Sequence, residues 1–229
     1  MRPLHLRPAT ELAERVLLPG DPHRALAVAQ ELLEGPLMFN HARGLWGYTG
    51  IADDGQPLSI QSTGIGGPSA AIVCEELIAL GARRLVRIGT CGALRDDIGL
   101  GTLLAVTEAL PADGASAALG ADGAVASSPL LLERLVAAGA TAVTVATTDL
   151  FYDDRSGNME DWVRRGAAAV EMECATLLRL GELRGVETAA VLGVTDVPGP
   201  DGSRRAEQEE IEAIGLRVGR AGYEALRAR

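Results

Sequence analysis

Polar residues stand at the ends of apolar, strand-like runs in four short stretches: Gly20-Asp21 in "RVLLPGDPHRA", Arg87 to Thr90 in "RIGTCGA", Glu171 and Glu173 in "AVEMECATLL", and Thr195-Asp196 in "VLGVTDV". Each type suggests a chemistry. Pro22 opens a helix after Pro19-Gly20, so backbone N–H groups and the positive helix end face the turn, with Arg24 in the first helical turn. An anion fits there, although Asp21 as an ordinary N-cap explains the same residues. Arg87 sits in an otherwise apolar strand, where an unpaired cation is costly. It needs an anionic partner, either a ligand or an internal acid, and Thr90 adds a hydroxyl. Glu171 and Glu173, two residues apart, share a strand face. Together they can accept the hydrogens of a vicinal diol, or serve as acids that complement a helix dipole. Asp196, among apolar neighbours, suits a general acid as well as a turn residue.

The run "STGIGGPSAAI" at 62–72 raises a further possibility, a dinucleotide loop. Its Gly64-x-Gly66 spacing followed by Ser69 lacks the third glycine of that fingerprint. The acid expected about 20 residues on, where it would hold a ribose 2′-hydroxyl, is replaced by Arg87. A glycine turn near Arg87 and Thr90 favours an anion over a ribose diol at that point.

The elements that must position these residues alternate. Strand-like runs occupy 15–18, 45–51, 57–63, 84–88, 102–107, 141–147, 168–172 and 188–194; helical patterns occupy 22–33, 68–80, 129–138, 159–165, 174–183 and 206–227. Proline opens three of the helices, where its missing N–H costs nothing. This alternation predicts an α/β fold, a single domain over residues 1–229 with a mixed, mostly parallel central sheet flanked by helices. Residues 39–63 leave no room for crossover helices and read as consecutive hairpins, while 111–128 reads as a long surface loop. Ligands of open α/β sheets gather at the carboxyl ends of strands, where the polar residues lie.

Composition narrows the classes. The chain has 229 residues, 47% of them hydrophobic, and 31 acidic against 21 basic side chains give a net charge of −10. That balance disfavours nucleic acid and anionic membrane as partners and makes any phosphate site local. No apolar run reaches the roughly 18 residues of a membrane span, and no leader-like N-terminus precedes the first strand. The expectation is a cytoplasmic protein. Cys74, Cys91 and Cys174, without CxxC spacing, read as small core residues in a reducing compartment rather than a metal site. Cys91 as a nucleophile lacks a histidine nearby in sequence.

In the order "VLLPGDPHRA", "RGLWGYTG", "STGIGGPSAAI", "RIGTCGA", "DLFY", "VEMECATL" and "VTDV", the chain resembles the hexameric-type purine nucleoside phosphorylase and uridine phosphorylase family over essentially its whole length. The resemblance implies phosphorolysis of a nucleoside to free base and (deoxy)ribose 1-phosphate, with inorganic phosphate as co-substrate and no cofactor or metal. It assigns phosphate to Gly20, Arg24, Arg87 and Thr90, with Arg43 lent by a neighbouring subunit, and names Asp196 and Arg87 as catalytic. Glu173 would hold the ribose hydroxyls with Glu171 beside it, Met172 would pack under the sugar, and Ile65 would line it. Phe151 would pack on the base with Tyr152 and Thr195 nearby, and His5 of the neighbour would contact the 5′-hydroxyl. The lending implies a homo-oligomer, and the resemblance a dimer-based hexamer.

The base is less evenly indicated. The short "DDRSGNMEDW" lacks the insertion with which uridine phosphorylases read a pyrimidine edge, and Asp196 favours a purine. "STGIGGPS" and the "DGAS" at 113–116 look more like the uridine branch. A phosphate-independent nucleosidase would lack the arginine set of Arg24, Arg43 and Arg87. Purine members also carry an arginine early in the last helix that approaches the catalytic aspartate; Gln208 aligns there, with Arg204 and Arg205 as substitutes.

Overall fold

Four residues of β1 (Arg15–Leu18) set out the layering: Val16 and Leu18 join one buried cluster and Leu17 another, as the two-residue period of a strand requires. A computed structural model describes residues 3–153, 157–199 and 202–228. Residues 154–156 of "DDRSGNMEDW" and 200–201 of "PGPDGS" fall outside them.

Beyond β1 the strands are β2 (Glu34–Asn40), β3 (Gly47–Ile51), β4 (Pro57–Gln61), β5 (Arg84–Ala93), β6 (Leu103–Ala112), β7 (Val125–Ala126), β8 (Thr141–Thr148), β9 (Ala167–Glu171), β10 (Glu187–Gly199) and β11 (Gly202–Arg205). The helices are α1 (Pro22–Leu32), α2 (Gly67–Ala79), α3 (Gly114–Ala118), α4 (Pro129–Ala137), α5 (Asn158–Arg164), α6 (Cys174–Arg184) and α7 (Gln208–Leu226). Parallel pairs build the centre, with β1 between β4 and β5, and β5 against β10. Antiparallel β3 and β2 extend one edge. From β10 the pairing runs through β6, β8 and β9 and returns to β5 at Gly92 and Ala93, so these five strands close into a ring.

Helices α1, α4 and α7 cover one face and α2 and α6 the other. Along β5, Val86 and Ile88 enter the α7 side, while Leu85 joins the α2 and α6 side. The same alternation aims Arg87 toward α2 and α6, and burial leaves it 6% exposed.

Three local differences from the sequence reading have physical causes. The stretch 111–128 is more than a loop, because Asp113 accepts Ser116 N at 2.8 Å and starts α3, and Val125 and Ala126 pair with β6 as β7. The edge hairpin begins earlier than expected, at β2, whose Pro36 and exposed residues hide its pairing with β3. The eighth predicted strand runs on to Gly199 and returns as β11, so α7 starts at Gln208 behind a capping box of Glu207 and Glu210.

Helix α7 lies close on the sheet because it carries glycine at the contact. A methyl on Gly222 would stand 2.5 Å from Ile88 Cγ2 and 3.0 Å from Leu17 Cδ2. Gly222→Val is therefore expected to overpack this face and lower unfolding free energy by about 1–3 kcal/mol, read as a reduced midpoint in chemical denaturation with an unchanged slope.

Candidate active site

Glycine and strand register place the Arg87 guanidinium. Gly89 follows on the same face of β5, and a methyl there would sit 2.8 Å from Nη2 and 2.9 Å from Cζ. Only a glycine leaves space for the side chain to lie back along its own strand. On the far side, a methyl on Gly20 would stand 4.0 Å from Arg87 Nη1 and 3.2 Å from the Gly64 carbonyl. Gly64 N donates to Gly20 O at 3.1 Å, so the first turn and the glycine loop are tied together over the guanidinium.

Two glutamates meet Arg87. Glu171 Oε2 lies 3.3 Å from Nε, and Glu173 Oε2 is in direct contact with Nη2. Their circumstances differ. Glu171, at the end of β9, accepts Thr147 Oγ1–H at 2.6 Å, Glu173 N–H at 2.8 Å and Cys174 N–H at 2.9 Å and 3.0 Å. Glu173, preceding α6, accepts Gly66 N–H at 2.5 Å besides its contact with Arg87. Burial raises the Glu173 carboxyl above its ordinary range, opposed by Arg87 and reinforced by the Glu171 charge. Burial pulls Arg87 down, but the two carboxylates outweigh it and hold the guanidinium firmly charged. The internal acids anticipated as one alternative are thus present. Even so, among the described residues Arg87 Nη1 and Nε have no hydrogen-bond partner, an unusual state for a buried cation.

Arg24 lies half-buried in the first turn of α1, whose N-cap Asp21 accepts His23 N–H and Arg24 N–H. Its Nη1 reaches the Ile88 carbonyl at 3.5 Å. Burial, then the charge of Arg87, lowers its pKa. Gly20, Arg24 and Arg87 therefore share one niche, with Thr90 half-buried farther along β5. The glycine loop shapes this niche without cradling an anion, since Gly66 N–H is committed to Glu173. A methyl on Gly67 would lie 2.7 Å from Thr176 Oγ1 and 2.9 Å from Asp113 Oδ2, so this glycine serves helix packing. Ile65 projects from the loop at 78% exposure and Met172 is half-buried.

At the end of β10 a bulge between Val194 and Asp196 turns Asp196 to face Gly92 of β5. Thr195 Oγ1–H donates to Asp196 Oδ2 at 2.8 Å, and Arg205 Nη1 lies 2.8 Å and 3.0 Å from the two carboxylate oxygens. Arg205 is directly opposite Asp196 in the β10–β11 register. Gln208 turns away and donates to Glu212 Oε1. The cation beside the aspartate thus comes from the hairpin.

Phe151 and Tyr152 are exposed and stack edge to face at 5.0 Å, so neither is a core residue. Arg43 is exposed on a short 3-10 turn joining β2 to β3, with φ 60, the one non-glycine residue at positive φ among those described. That turn lies beyond β1, β4 and β3 from Arg87, and His5 lies on the N-terminal segment over α2. Within one chain the structure therefore groups Gly20, Arg24, Arg87, Glu171 and Glu173, and leaves His5 and Arg43 outside the group. Asp113, whose stretch suggested the uridine branch, is buried as the α3 cap and accepts Thr176 Oγ1–H at 2.8 Å. Sequence reasoning missed Thr147 and Gly66 N–H as partners of the carboxylates and held Arg205 only as one of two substitutes for Gln208; of the two missed, only Thr147, a hydroxyl ending a predicted strand, carried a readable signal. Cys91 is buried against the Gly193 carbonyl and burial pushes its thiol up, which opposes a nucleophilic role. Among the described residues no cluster of three potential metal ligands forms, and no helix is long and apolar enough to cross a membrane.

The unequal anchoring of the glutamates is testable. Glu171→Gln turns an amide toward fixed donors and is expected to cost about 3 kcal/mol or more, lowering Tm by roughly 5–10 °C for a chain of this size. Glu173→Gln is expected to cost clearly less, and equal losses in thermal unfolding would refute the distinction.

The phosphorylase superfamily profile matches residues 14–228. The DeoD-type purine nucleoside phosphorylase of Geobacillus kaustophilus is 38% identical over 195 residues, covering 81% of this chain and 82% of the relative. That of Alkaliphilus metalliredigens is 35% identical over 215 residues, covering 90% and 92%, and that of Caldanaerobacter subterraneus is 39% identical over 196 residues, covering 81% and 84%. With nearly its whole length matched, this chain belongs to the phosphorylase superfamily.

Proposed function

We propose that this chain catalyses phosphorolysis of purine nucleosides, releasing free base and (deoxy)ribose 1-phosphate, with inorganic phosphate as co-substrate and neither metal nor organic cofactor. The observation that carries the reading is the buried Arg87 guanidinium, whose Nη1 faces Gly20 with no hydrogen-bond partner among the described residues while Arg24 shares the niche. Orthophosphate supplies the missing acceptors. As it docks on Gly20, Arg24, Arg87 and Thr90, its charge displaces Glu173 from Nη2, and the released carboxylate accepts the ribose 2′- and 3′-hydroxyls. Glu171 stays on Arg87, so the guanidinium keeps a counter-charge throughout.

Cleavage of the glycosidic bond builds positive charge on the sugar, which a phosphate held beneath it stabilises and then attacks. Met172 and Ile65 pack around the sugar, and Phe151 covers the base with Tyr152 at its rim. Asp196, once its ion pair opens and it has taken a proton from solvent, passes that proton to the departing purine at N7. In the resting protein both carboxylate oxygens are engaged, by Thr195 and Arg205. Arg205 is half-exposed, so opening this pair costs little. His5 and Arg43, outside the Arg87 group of their own chain, complete the site of a neighbouring subunit in a homo-oligomer, arranged as a dimer-based hexamer. Asp113 is a structural cap, so the "DGAS" likeness says nothing about uracil, and the purine nucleosides are favoured.

Product formation from adenosine, guanosine, inosine and uridine, with and without phosphate, tests the reaction. Phosphate-dependent release of purine bases is expected; phosphate-independent cleavage would indicate a nucleosidase, and preference for uridine would reverse the base assignment. Asp196→Asn is expected to slow purine nucleosides about 10²–10⁴-fold. Arg24→Ala is expected to raise the KM for phosphate about tenfold or more while the fold stays intact.

A further inference from the structure

Glu76 of α2 is 4% exposed, and among the described residues every partner of its carboxylate is a donor from the N-terminal segment. Its Oε1 accepts Leu4 N–H at 2.9 Å and His5 N–H at 3.0 Å, and its Oε2 accepts Leu6 N–H at 2.7 Å. The ring Nδ1 of His5 lies 2.8 Å from Oε1. One carboxylate 70 to 72 residues away thus gathers three successive backbone amides and the imidazole. Leu6 pins the segment from below, 1% exposed among Val73, Cys74 and Leu77. Burial pushes the Glu76 carboxyl up, but the donors from Leu6, Leu4 and His5 outweigh it and hold it at about 2, a carboxylate at any assay pH.

The consequence falls on His5. A carboxylate cannot donate, so the proton shared with it belongs to Nδ1. In the neutral ring the lone pair is then on Nε2, which has no hydrogen bond among the described residues on a side chain 35% exposed. Such a second-partner contact fixes tautomer and ring orientation. We infer that Glu76 is a positioning residue for the reaction: it presents His5 Nε2 as a preset acceptor for the nucleoside 5′-hydroxyl in the neighbouring subunit's site. The inference rests on the assignment of His5 to that hydroxyl in the proposed function. A carboxylate that served the fold alone would need the backbone amides but would have no use for the ring.

The measurement is the ratio of kcat/KM for inosine to that for 5′-deoxyinosine, taken on one preparation so that the active fraction cancels. Wild type is expected to prefer inosine. His5→Ala is expected to reduce the preference about tenfold, the loss of one hydrogen bond. Glu76→Gln offers one acceptor oxygen where four donors converge and is expected to reduce the preference to a similar level, with the double variant no lower. If His5→Ala lowers the ratio and Glu76→Gln slows both substrates equally, the positioning role is overturned and Glu76 is structural. If His5→Ala leaves the ratio unchanged, the assignment of His5 fails and this inference fails with it. Should Glu76→Gln not fold, Glu76→Asp, which keeps the charge but shortens the reach, provides the same ratio with the same expected and overturning results.

Discussion

A guanidinium withdrawn from water needs a counter-charge that does not depart with the ligand, and here that demand falls on Glu171. Thr147 and the amides of Glu173 and Cys174 fix its carboxylate, so it stays beside Arg87 whatever else the site holds. Glu173 is then free to be exchangeable. Its ties are one loop amide and the guanidinium itself, and another acceptor can replace it on Nη2. The two glutamates, equivalent by type and separated by one residue, divide into one held by three protein donors and one held by a single loop amide and the guanidinium, because one ends a strand and the other precedes a helix.

This arrangement reaches back into the sheet. Arg87 points toward α2 and α6 because Leu85 does, and it fits because Gly89 has no side chain. The amide that holds Glu173 opens α2, and α2 packs closely on α3 and α6 because Gly67 lies against Asp113 and Thr176. Helix α2 therefore meets the Arg87 niche at its first turn and the N-terminal segment, through Glu76, near its last. A displacement of that helix would be felt at both places.

Much of this was legible from residue types. The alternation of strands and helices, the cost of a cation in an apolar strand, and the polar residues at strand ends point to the niche of Gly20, Arg24, Arg87, Glu171 and Glu173. Partner choice was less legible. Nothing in "VEMECATL" says which glutamate is held firmly, since that depends on Thr147, next to the end of β8, lying level with Glu171, a register visible only in three dimensions. The β10–β11 hairpin escaped notice because glycine and proline around its turn look like a loop, so Arg205 was one of two candidates instead of the residue facing Asp196. Glu76 gave no signal, being one acid among many on a helix, and its burial arises from a segment seventy residues earlier in the chain.

The hairpin also changes how the aspartate is controlled. A cation delivered by α7 would be set by the packing of a long helix on the sheet. Arg205 instead sits on a short antiparallel strand whose register with β10 fixes it opposite Asp196, and the bulge beside Thr195 fixes the aspartate in turn. The pair can then open by rotation of one exposed side chain, with no helix displaced and no core contact broken. In the proposed reaction, proton transfer from Asp196 is gated by a local motion of low cost, while at the phosphate end Glu173 alone shifts and Arg87 keeps its place beside Glu171. In the proposed reaction, nucleophile and proton donor are held by opposite means: one by burial, the other by an exposed ion pair that yields.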